Sequence, residues 1–127
     1  MTTVAEAEFA ERLRAVLSST SATADVGAVT GPGRSGAVAA VYASHMLGVP
    51  FIPYGQKAPT HLGRLLIVDT ARESGATLRK AERRYSGTTP LVLVAFEEPP
   101  RVHFWYEAKA VYAKEASVAY GEFLRAA

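Results

Sequence analysis

The chain has 127 residues, of which 49% are apolar, and its formal net charge at pH 7 is +2. A chain of this length and composition can bury one hydrophobic core, so we expect a single domain. The charge is too small to predict binding to nucleic acid. Because the sequence has no cysteine, disulfides, thiol nucleophiles and zinc thiolate sites are excluded, which suits a reducing cytoplasm.

The N-terminal segment, MTTVAEAEFAERLRAV, has three glutamates and lacks the basic and apolar regions of a signal peptide. No apolar stretch in the sequence approaches the roughly 18 residues that a membrane span needs. We therefore expect a cytoplasmic protein whose partners are neither membranes nor nucleic acids.

The pattern near the N-terminus predicts an amphipathic helix. Thr3 and Glu6 have the spacing of a capping box, which satisfies the first amide groups of a helix. The apolar residues that follow recur on one helical face. They are Phe9, Leu13, Val16 and Leu17.

The next segment predicts a strand, a glycine-rich loop and a second helix. Residues 26–30 read as a strand, residues 31–36 (GPGRSG) as a loop and the alanine-rich residues 37–47 as a helix that packs closely on a sheet. Gly48 is suited to the helix C-terminus. Residues 51–54 predict a short strand, and Pro53 places it at an edge or shortens its pairing.

A second strand, loop and helix follow a polar loop at residues 55–63. The apolar residues 65–68 predict a buried parallel strand that ends at Asp69. Small and hydroxylated residues then precede a predicted helix over residues 78–85. Such a helix N-terminus is an anion site, because its first amide groups have no partner within the helix and its dipole favours negative charge.

Residues 91–96 and 102–106 predict two further strands, and residues 108–124 have partial helical character. Strands that alternate with helices indicate a parallel α/β sheet, in which ligands bind at the carboxyl ends of the strands. Both loops, 31–36 and 71–77, follow strands and precede helices. We therefore expect them to share one sheet edge and to bind a ligand with two phosphate groups.

Gly31, Gly33 and Gly36 also satisfy G-x-G-x-x-G, the pattern of a dinucleotide-binding loop. That pattern expects an acid about 20 residues further on, at the end of the next strand. Residues 53–56, PYGQ, contain none. A dinucleotide-dependent enzyme is therefore a weaker alternative.

Taken together, the two loops resemble those of type I phosphoribosyltransferases. RLLIVDTARESGATL resembles their phosphoribosyl pyrophosphate motif: Asp69 matches the first acid, Thr70 occupies the position of the second and Glu73 matches the third. GPGRSGAVAAVYASHMLGVP resembles their pyrophosphate loop and the helix after it.

The resemblance implies a three-layer α/β fold with a mainly parallel sheet in one domain, residues 1–127. A small hood would come from residues 102–127, from the N-terminal helix, or from both. The implied reaction transfers phosphoribose from phosphoribosyl pyrophosphate to a purine-like base and releases pyrophosphate. Magnesium would be held through phosphoribosyl pyrophosphate, with no direct metal ligand from the protein. We also expect a homodimer.

The same resemblance implies a role for each residue of the two loops. It implies catalytic roles for Asp69 and Glu73, a 5′-phosphate cradle of Ser74, Gly75, Ala76 and Thr77, and pyrophosphate binding by Gly33, Arg34, Ser35 and Gly36. Lys57, in the loop at residues 55–63, is a further candidate for pyrophosphate. Plainer alternatives are that Asp69 and Ser74 cap a turn and that Arg34 and Glu73 are surface charges. We interpret Arg79, Lys80, Arg83 and Arg84 as a solvated helix face.

Two departures from the family pattern favour an alternative function. Thr70 removes one negative charge beside the ribose, and the loop at residues 55–63 is shorter than the family's lid. Both suit a non-catalytic protein that binds a phosphoribosyl compound or a nucleotide. The family's pyrophosphate loop often contains a cis peptide, which we predict here between Gly33 and Arg34.

Overall fold

The computed structural model describes residues 2–72, 75–97 and 102–107. The chain divides into two compact units: residues 7–100 form the larger, and residues 1–6 with 101–127 the smaller. The helices and strands are β1 (Thr2–Val4), α1 (Glu6–Ser18), β2 (Val26–Thr30), α2 (Gly33–Leu47), β3 (Arg64–Ala71), α3 (Ala76–Arg84), β4 (Leu91–Phe96) and β5 (Val102–Phe104).

The larger unit contains a parallel sheet in the order β2-β3-β4. On the other side of β2, Phe51 makes an isolated parallel bridge with Val29. The predicted strand at residues 51–54 is reduced to this bridge, because Pro53 has no amide hydrogen to extend a ladder. The prediction of an α/β fold with a parallel sheet is confirmed.

The strand order reverses at β2. After β2 the chain passes through α2 and returns to one edge of β2, where Phe51 forms its bridge. The next strand, β3, pairs with the opposite edge of β2. The carboxyl ends of β2 and β3 therefore lie next to each other at a topological switch point, which is where open α/β sheets bind their ligands.

Helices cover the two faces of the sheet. Because successive strand residues point to opposite faces, Leu65 and Ile67 face one side, and Leu66 and Val68 face the other. The first side packs against α3, and we call it the α3-side core; its buried members include Ala28, Leu65, Ile67, Leu78, Ala81, Tyr85 and Val94. Helix α2 packs on β2 and β3. Its buried alanines, Ala39, Ala40 and Ala43, allow the close approach that the sequence predicted.

Helix α1 buries Phe9, Leu13 and Leu17, as the apolar pattern predicted. The ring of Phe9 meets that of Tyr42 edge to face, with 5.5 Å between the ring centroids. The predicted capping box was wrong, because Thr3 lies within β1 and its backbone pairs with that of His103.

In the smaller unit, β1 and β5 pair in parallel. Strand β5 is shorter than the predicted residues 102–106, because Trp105–Glu107 forms a 3₁₀ turn. The helical character predicted over residues 108–124 lies outside the described residues. The single domain and the hood stay predictions.

Two elements extend beyond their predicted bounds. Strand β3 continues past residue 68, so Asp69 lies within the ladder and pairs with Val94. Helix α2 begins at Gly33, so the residues predicted as the second half of a loop form its first turn. Among the helices that the structure describes, none is long and apolar enough to cross a membrane.

Candidate functional site

Helix α2 starts at the switch point, directly after β2. Gly33 has a φ of +68°, and the first bond along the helix runs from the Gly36 amide to the Pro32 carbonyl at 3.1 Å. Gly33 and Arg34 are exposed, Ser35 is half-buried and Gly36 is buried. The predicted cis peptide between Gly33 and Arg34 was wrong, since the described residues contain no cis bond. The left-handed conformation of Gly33 makes the turn instead.

Gly31 and Gly36 are in backbone contact. A Cβ atom at Gly36 would lie 2.6 Å from the carbonyl carbon of Gly31, and one at Gly31 would lie 2.6 Å from the Val68 carbonyl oxygen. Only glycine fits at either position without movement of the backbone. Packing and one positive φ thus account for the G-x-G-x-x-G spacing without a dinucleotide.

Helix α3 starts beside the carboxyl end of β3. Its N-cap, Gly75, is buried with a φ of +79°, and the first bond along the helix runs from the Arg79 amide to the Gly75 carbonyl at 2.9 Å. Ala76 and Thr77 are exposed in the first turn. Glu73 and Ser74 lie outside the described residues, so their roles stay predictions.

Asp69 and Thr70 face opposite sides of the sheet. Asp69 shares its face with Ile67 and the α3-side core, is half-buried, and its Oδ1 accepts a hydrogen bond from the Thr70 amide at 2.7 Å. Thr70 is only 3% exposed. The position of the family's second acid is therefore buried on the face opposite the α3-side core.

The sequence matches no protein-family model and none of the curated proteins compared with it. Solved structures do match. A hypothetical protein from Neisseria gonorrhoeae with bound ppGpp is 11% identical, with a TM-score of 0.67 over 94% of this chain and 97% of the other. The xanthine-guanine-hypoxanthine phosphoribosyltransferase of Helicobacter pylori is 13% identical, with a TM-score of 0.64 over 90% and 97%.

A purine phosphoribosyltransferase from Pyrococcus horikoshii Ot3 is 16% identical, with a TM-score of 0.57 over 81% of this chain and 86% of the other. The chain has a phosphoribosyltransferase-like fold. At these identities the likeness extends to the fold, and the chemistry has to be argued from the site.

One buried hydroxyl lies at the switch point of this phosphoribosyltransferase-like fold. Thr30, the last residue of β2, is fully buried, and its Oγ1 has no hydrogen-bond partner among the described residues. It pairs with Ile67 and shares the face of the α3-side core. An unsatisfied buried hydroxyl costs roughly 1–3 kcal/mol.

Two arginines lie over the N-terminus of α3. A Cβ atom at Gly75 would be 2.9 Å from Nη1 of Arg79 and 3.8 Å from Nη1 of Arg72. The sequence pattern predicted that Arg79 lies on a solvated helix face, and it indicated no role for Arg72. The four-residue spacing between Gly75 and Arg79 could have indicated this contact, because helical side chains lean toward the helix N-terminus.

Lys57 lies at the other end of α3. It lines an open pocket of about 530 Å³ together with Arg84, Tyr85 and Thr88. Helix α3 has 9 residues and is therefore about 13 Å long. The structure thus places Lys57 beside the C-terminus of α3, whereas the predicted 5′-phosphate cradle is at its N-terminus.

The loop that carries Lys57 is fastened to α3. The Tyr85 hydroxyl donates to the Gln56 carbonyl at 2.8 Å and accepts from the Gly55 amide at 2.9 Å. Nη2 of Arg84 donates to the Gly55 carbonyl at 3.1 Å. Ala58 is buried in the α3-side core. The loop therefore packs beside α3 and does not take the position of a lid over the switch point.

Proposed function

We propose that this protein binds phosphoribosyl pyrophosphate at the switch point and transfers its phosphoribose to a purine-like base. The observation that carries the proposal is that α2 and α3 both begin at this edge, a short loop after the adjacent strands β2 and β3. Two helix N-termini provide two sets of amide groups for phosphate. Structural likeness to purine phosphoribosyltransferases supports the assignment.

Each end of the ligand has a natural place in this arrangement. The 5′-phosphate would lie on the first turn of α3, bound by Ser74, Gly75, Ala76 and Thr77. Pyrophosphate would lie on the first turn of α2, bound by Gly33, Arg34, Ser35 and Gly36. The guanidinium of Arg34 is exposed there and suits a bidentate phosphate contact. Lys57 is a more distant candidate for the pyrophosphate.

Asp69 would orient the ribose between the two phosphate sites. Its carboxylate lies on the face of β3 that α3 covers and remains half-buried. An ionised carboxylate accepts hydrogen bonds from ribose hydroxyls. One oxygen already accepts from the Thr70 amide, which restricts the rotation of the carboxylate.

The reaction breaks the bond between the anomeric carbon and a pyrophosphate oxygen and forms a bond from that carbon to a base nitrogen. Pyrophosphate leaves with the bonding electron pair, and the base nitrogen loses a proton. Glu73 would accept that proton, a contribution typically worth about 10²–10⁴-fold in rate.

Magnesium would enter this site as a partner of the ligand. Among the described residues no group of three or more His, Asp or Glu could hold a metal ion. Magnesium keeps several waters and takes phosphate oxygens readily. The phosphates, ribose hydroxyls and water would therefore supply most of its ligands, and Asp69 would hold them in place.

Calorimetry with magnesium and phosphoribosyl pyrophosphate tests binding, and pyrophosphate release with a panel of purine bases tests transfer. We expect binding at millimolar ligand or better and turnover that Glu73→Gln reduces by at least 100-fold. Glu82→Gln, an exposed acid on α3, is the matched control and should leave turnover unchanged. Folded protein that does not bind the ligand would rule out the proposal.

A second candidate is a non-catalytic protein that binds a nucleotide or phosphoribosyl compound at the same edge. It is favoured by Thr70, whose side chain is buried where the family has a second acid. It is also supported by the Neisseria protein of the same fold with bound ppGpp. Binding of ppGpp or phosphoribosyl pyrophosphate, without release of pyrophosphate when any purine base is added, would favour this candidate over the transferase.

Homodimer formation and a cytoplasmic location are further proposals from the sequence. Light scattering of the purified protein at micromolar concentration tests the first. A mass equal to twice that of the chain is expected.

A further inference from the structure

Arg72 and Arg79 come from different elements and converge on one glycine. Arg72 follows β3, and Arg79 lies in the second turn of α3. Their Nη1 atoms are 3.8 Å and 2.9 Å from the position that a Cβ of Gly75 would occupy. Gly75 is the N-cap of α3, so both guanidinium groups lie beside the residue that precedes the first helical turn.

The position of Arg72 is set by β4 and the residue after it. Its amide donates to the Phe96 carbonyl at 3.1 Å, which extends the pairing of β3 with β4 by one bond. Its Nε lies 3.3 Å from Oε2 of Glu97. That Nε is buried and makes no hydrogen bond to the described residues, so Glu97 holds the guanidinium mainly through charge.

Helix geometry accounts for the position of Arg79. Its amide donates to the Gly75 carbonyl, one turn earlier, and its side chain leans back along the helix toward that glycine. Arg83 is one further turn along the same face and is likewise exposed. It carries the same charge but lies a turn farther from the N-cap.

The helix N-terminus and the two guanidinium groups favour the same ligand. Backbone amides at a helix N-terminus bind phosphate through aligned donors and the helix dipole. Guanidinium groups add bidentate, charge-assisted hydrogen bonds that are roughly twice as strong as neutral ones. A phosphate monoester dianion on this turn would meet both sets of donors.

We propose that Arg72 and Arg79 bind the phosphate monoester on the first turn of α3, with Glu97 as the positioning residue for Arg72. This inference rests on the proposed phosphate site at α3 and names the side chains that give it specificity. The ligand class is a sugar 5-phosphate in its dianionic form, bound at this turn directly by protein donors.

Ribose 5-phosphate is the probe, because it carries the monoester and ribose without pyrophosphate. Its dissociation constant is measured by calorimetry for the wild type, Arg79→Gln and Arg72→Gln. Each substitution should weaken binding about 10-fold, the loss of one hydrogen bond to a charged group. Arg83→Gln is the matched control and should change binding less than 2-fold. Glu97→Gln should weaken binding by an intermediate factor.

Two further measurements separate binding from structure. Arg79→Lys retains the charge and should recover part of the affinity that Arg79→Gln loses. The dependence of affinity on salt should be shallower in Arg79→Gln than in Arg83→Gln, because one cation in contact with phosphate has been removed. Thermal unfolding should give the same melting temperature for both variants within about 2 °C, since both are exposed surface changes.

The outcomes distinguish this inference from the proposed site. If folded wild-type protein binds neither ribose 5-phosphate nor phosphoribosyl pyrophosphate, the proposed site itself fails. If the wild type binds ribose 5-phosphate and Arg79→Gln and Arg72→Gln bind it equally well, the site stands and the assignment of the arginines is wrong. An equal loss in Arg83→Gln would show only a general effect of surface charge and would also overturn the assignment.

Discussion

Gly31 and Gly36 pack backbone against backbone at the point where β2 passes into α2. A Cβ at Gly36 would lie 2.6 Å from the Gly31 carbonyl carbon and 2.9 Å from Cδ of Pro32. This contact holds the first turn of α2 against the end of β2. It therefore sets where the proposed pyrophosphate-binding turn lies.

Gly36→Ala tests this contact. The added methyl group must push the backbone of α2 away from Gly31, because the obstructing atoms are main chain. We expect unfolding free energy to fall by about 2–3 kcal/mol, as for overpacked buried sites. Binding of pyrophosphate should be lost as well.

Gly33→Ala is its control, since a Cβ there meets no atom within 4 Å. Its cost is the left-handed backbone alone, about 1–2 kcal/mol. Urea denaturation gives both values. A smaller loss for Gly36→Ala than for Gly33→Ala would contradict the contact.

Thr30→Val should stabilise the protein. The hydroxyl of Thr30 is fully buried without a hydrogen-bond partner among the described residues, and a methyl group of similar size removes that penalty. We expect a gain of about 1 kcal/mol in unfolding free energy. Thr70→Val is the comparison, because the Thr70 hydroxyl lies 3.5 Å from Oδ1 of Asp69. It should bring no gain. Destabilisation by Thr30→Val would show that its hydroxyl has a partner.

Thr70→Asp restores the acid that the phosphoribosyltransferase motif has at this position, but it should not create a better site. Thr70 is 3% exposed, so the new carboxylate would be buried without an opposite charge. We expect a loss of about 3 kcal/mol or more, as for an uncompensated buried charge. Circular dichroism during urea denaturation measures it. A stable variant with tighter binding of phosphoribosyl pyrophosphate would show that residue 70 reaches the ligand.

Tyr85→Phe should loosen the loop at residues 55–63 without disturbing α3. It removes one bond to the Gln56 carbonyl and one from the Gly55 amide, and retains the buried ring. We expect a loss of about 1–3 kcal/mol for two partly buried hydrogen bonds. The Gly55 amide should exchange its hydrogen faster.

Tyr54→Phe is the control, because its ring contact with Tyr85 is unchanged. Amide exchange followed by nuclear magnetic resonance measures both variants. Unchanged exchange at Gly55 in Tyr85→Phe would mean that other contacts hold the loop.

Several elements were predictable because local patterns specify them. The apolar run in β3 predicted a buried strand, and Gly48 ends α2 with a φ of +68°, as predicted for a helix C-terminus. The order of strands and helices indicated a parallel sheet. Thr3 shows where local patterns are insufficient. Its spacing to Glu6 suited a capping box, but Thr3 instead pairs with His103, which lies 100 positions away in the sequence.

The candidate site was likewise predictable only in part. The glycines and the acid of the two loops were recognisable from sequence, because each loop is a continuous segment between a strand and a helix. The burial of Thr70 was not recognisable from sequence, because neighbouring residues of β3 face opposite sides of the sheet. Only the packing of the helices shows which side is closed to solvent at this position. The position of Lys57 depended on hydrogen bonds from Tyr85 and Arg84, which lie about thirty residues away.

The sequence by itself determined the alternation of strands and helices, the two loops at their junctions and the resemblance to phosphoribosyltransferases. These features follow from short-range patterns of apolar, small and polar residues. Only the tertiary structure decided that β2 and β3 are neighbours, that Thr70 is buried and that Lys57 lies beside the C-terminus of α3. Those relations depend on strand order and side-chain direction, which arise when distant segments pack to bury the same core.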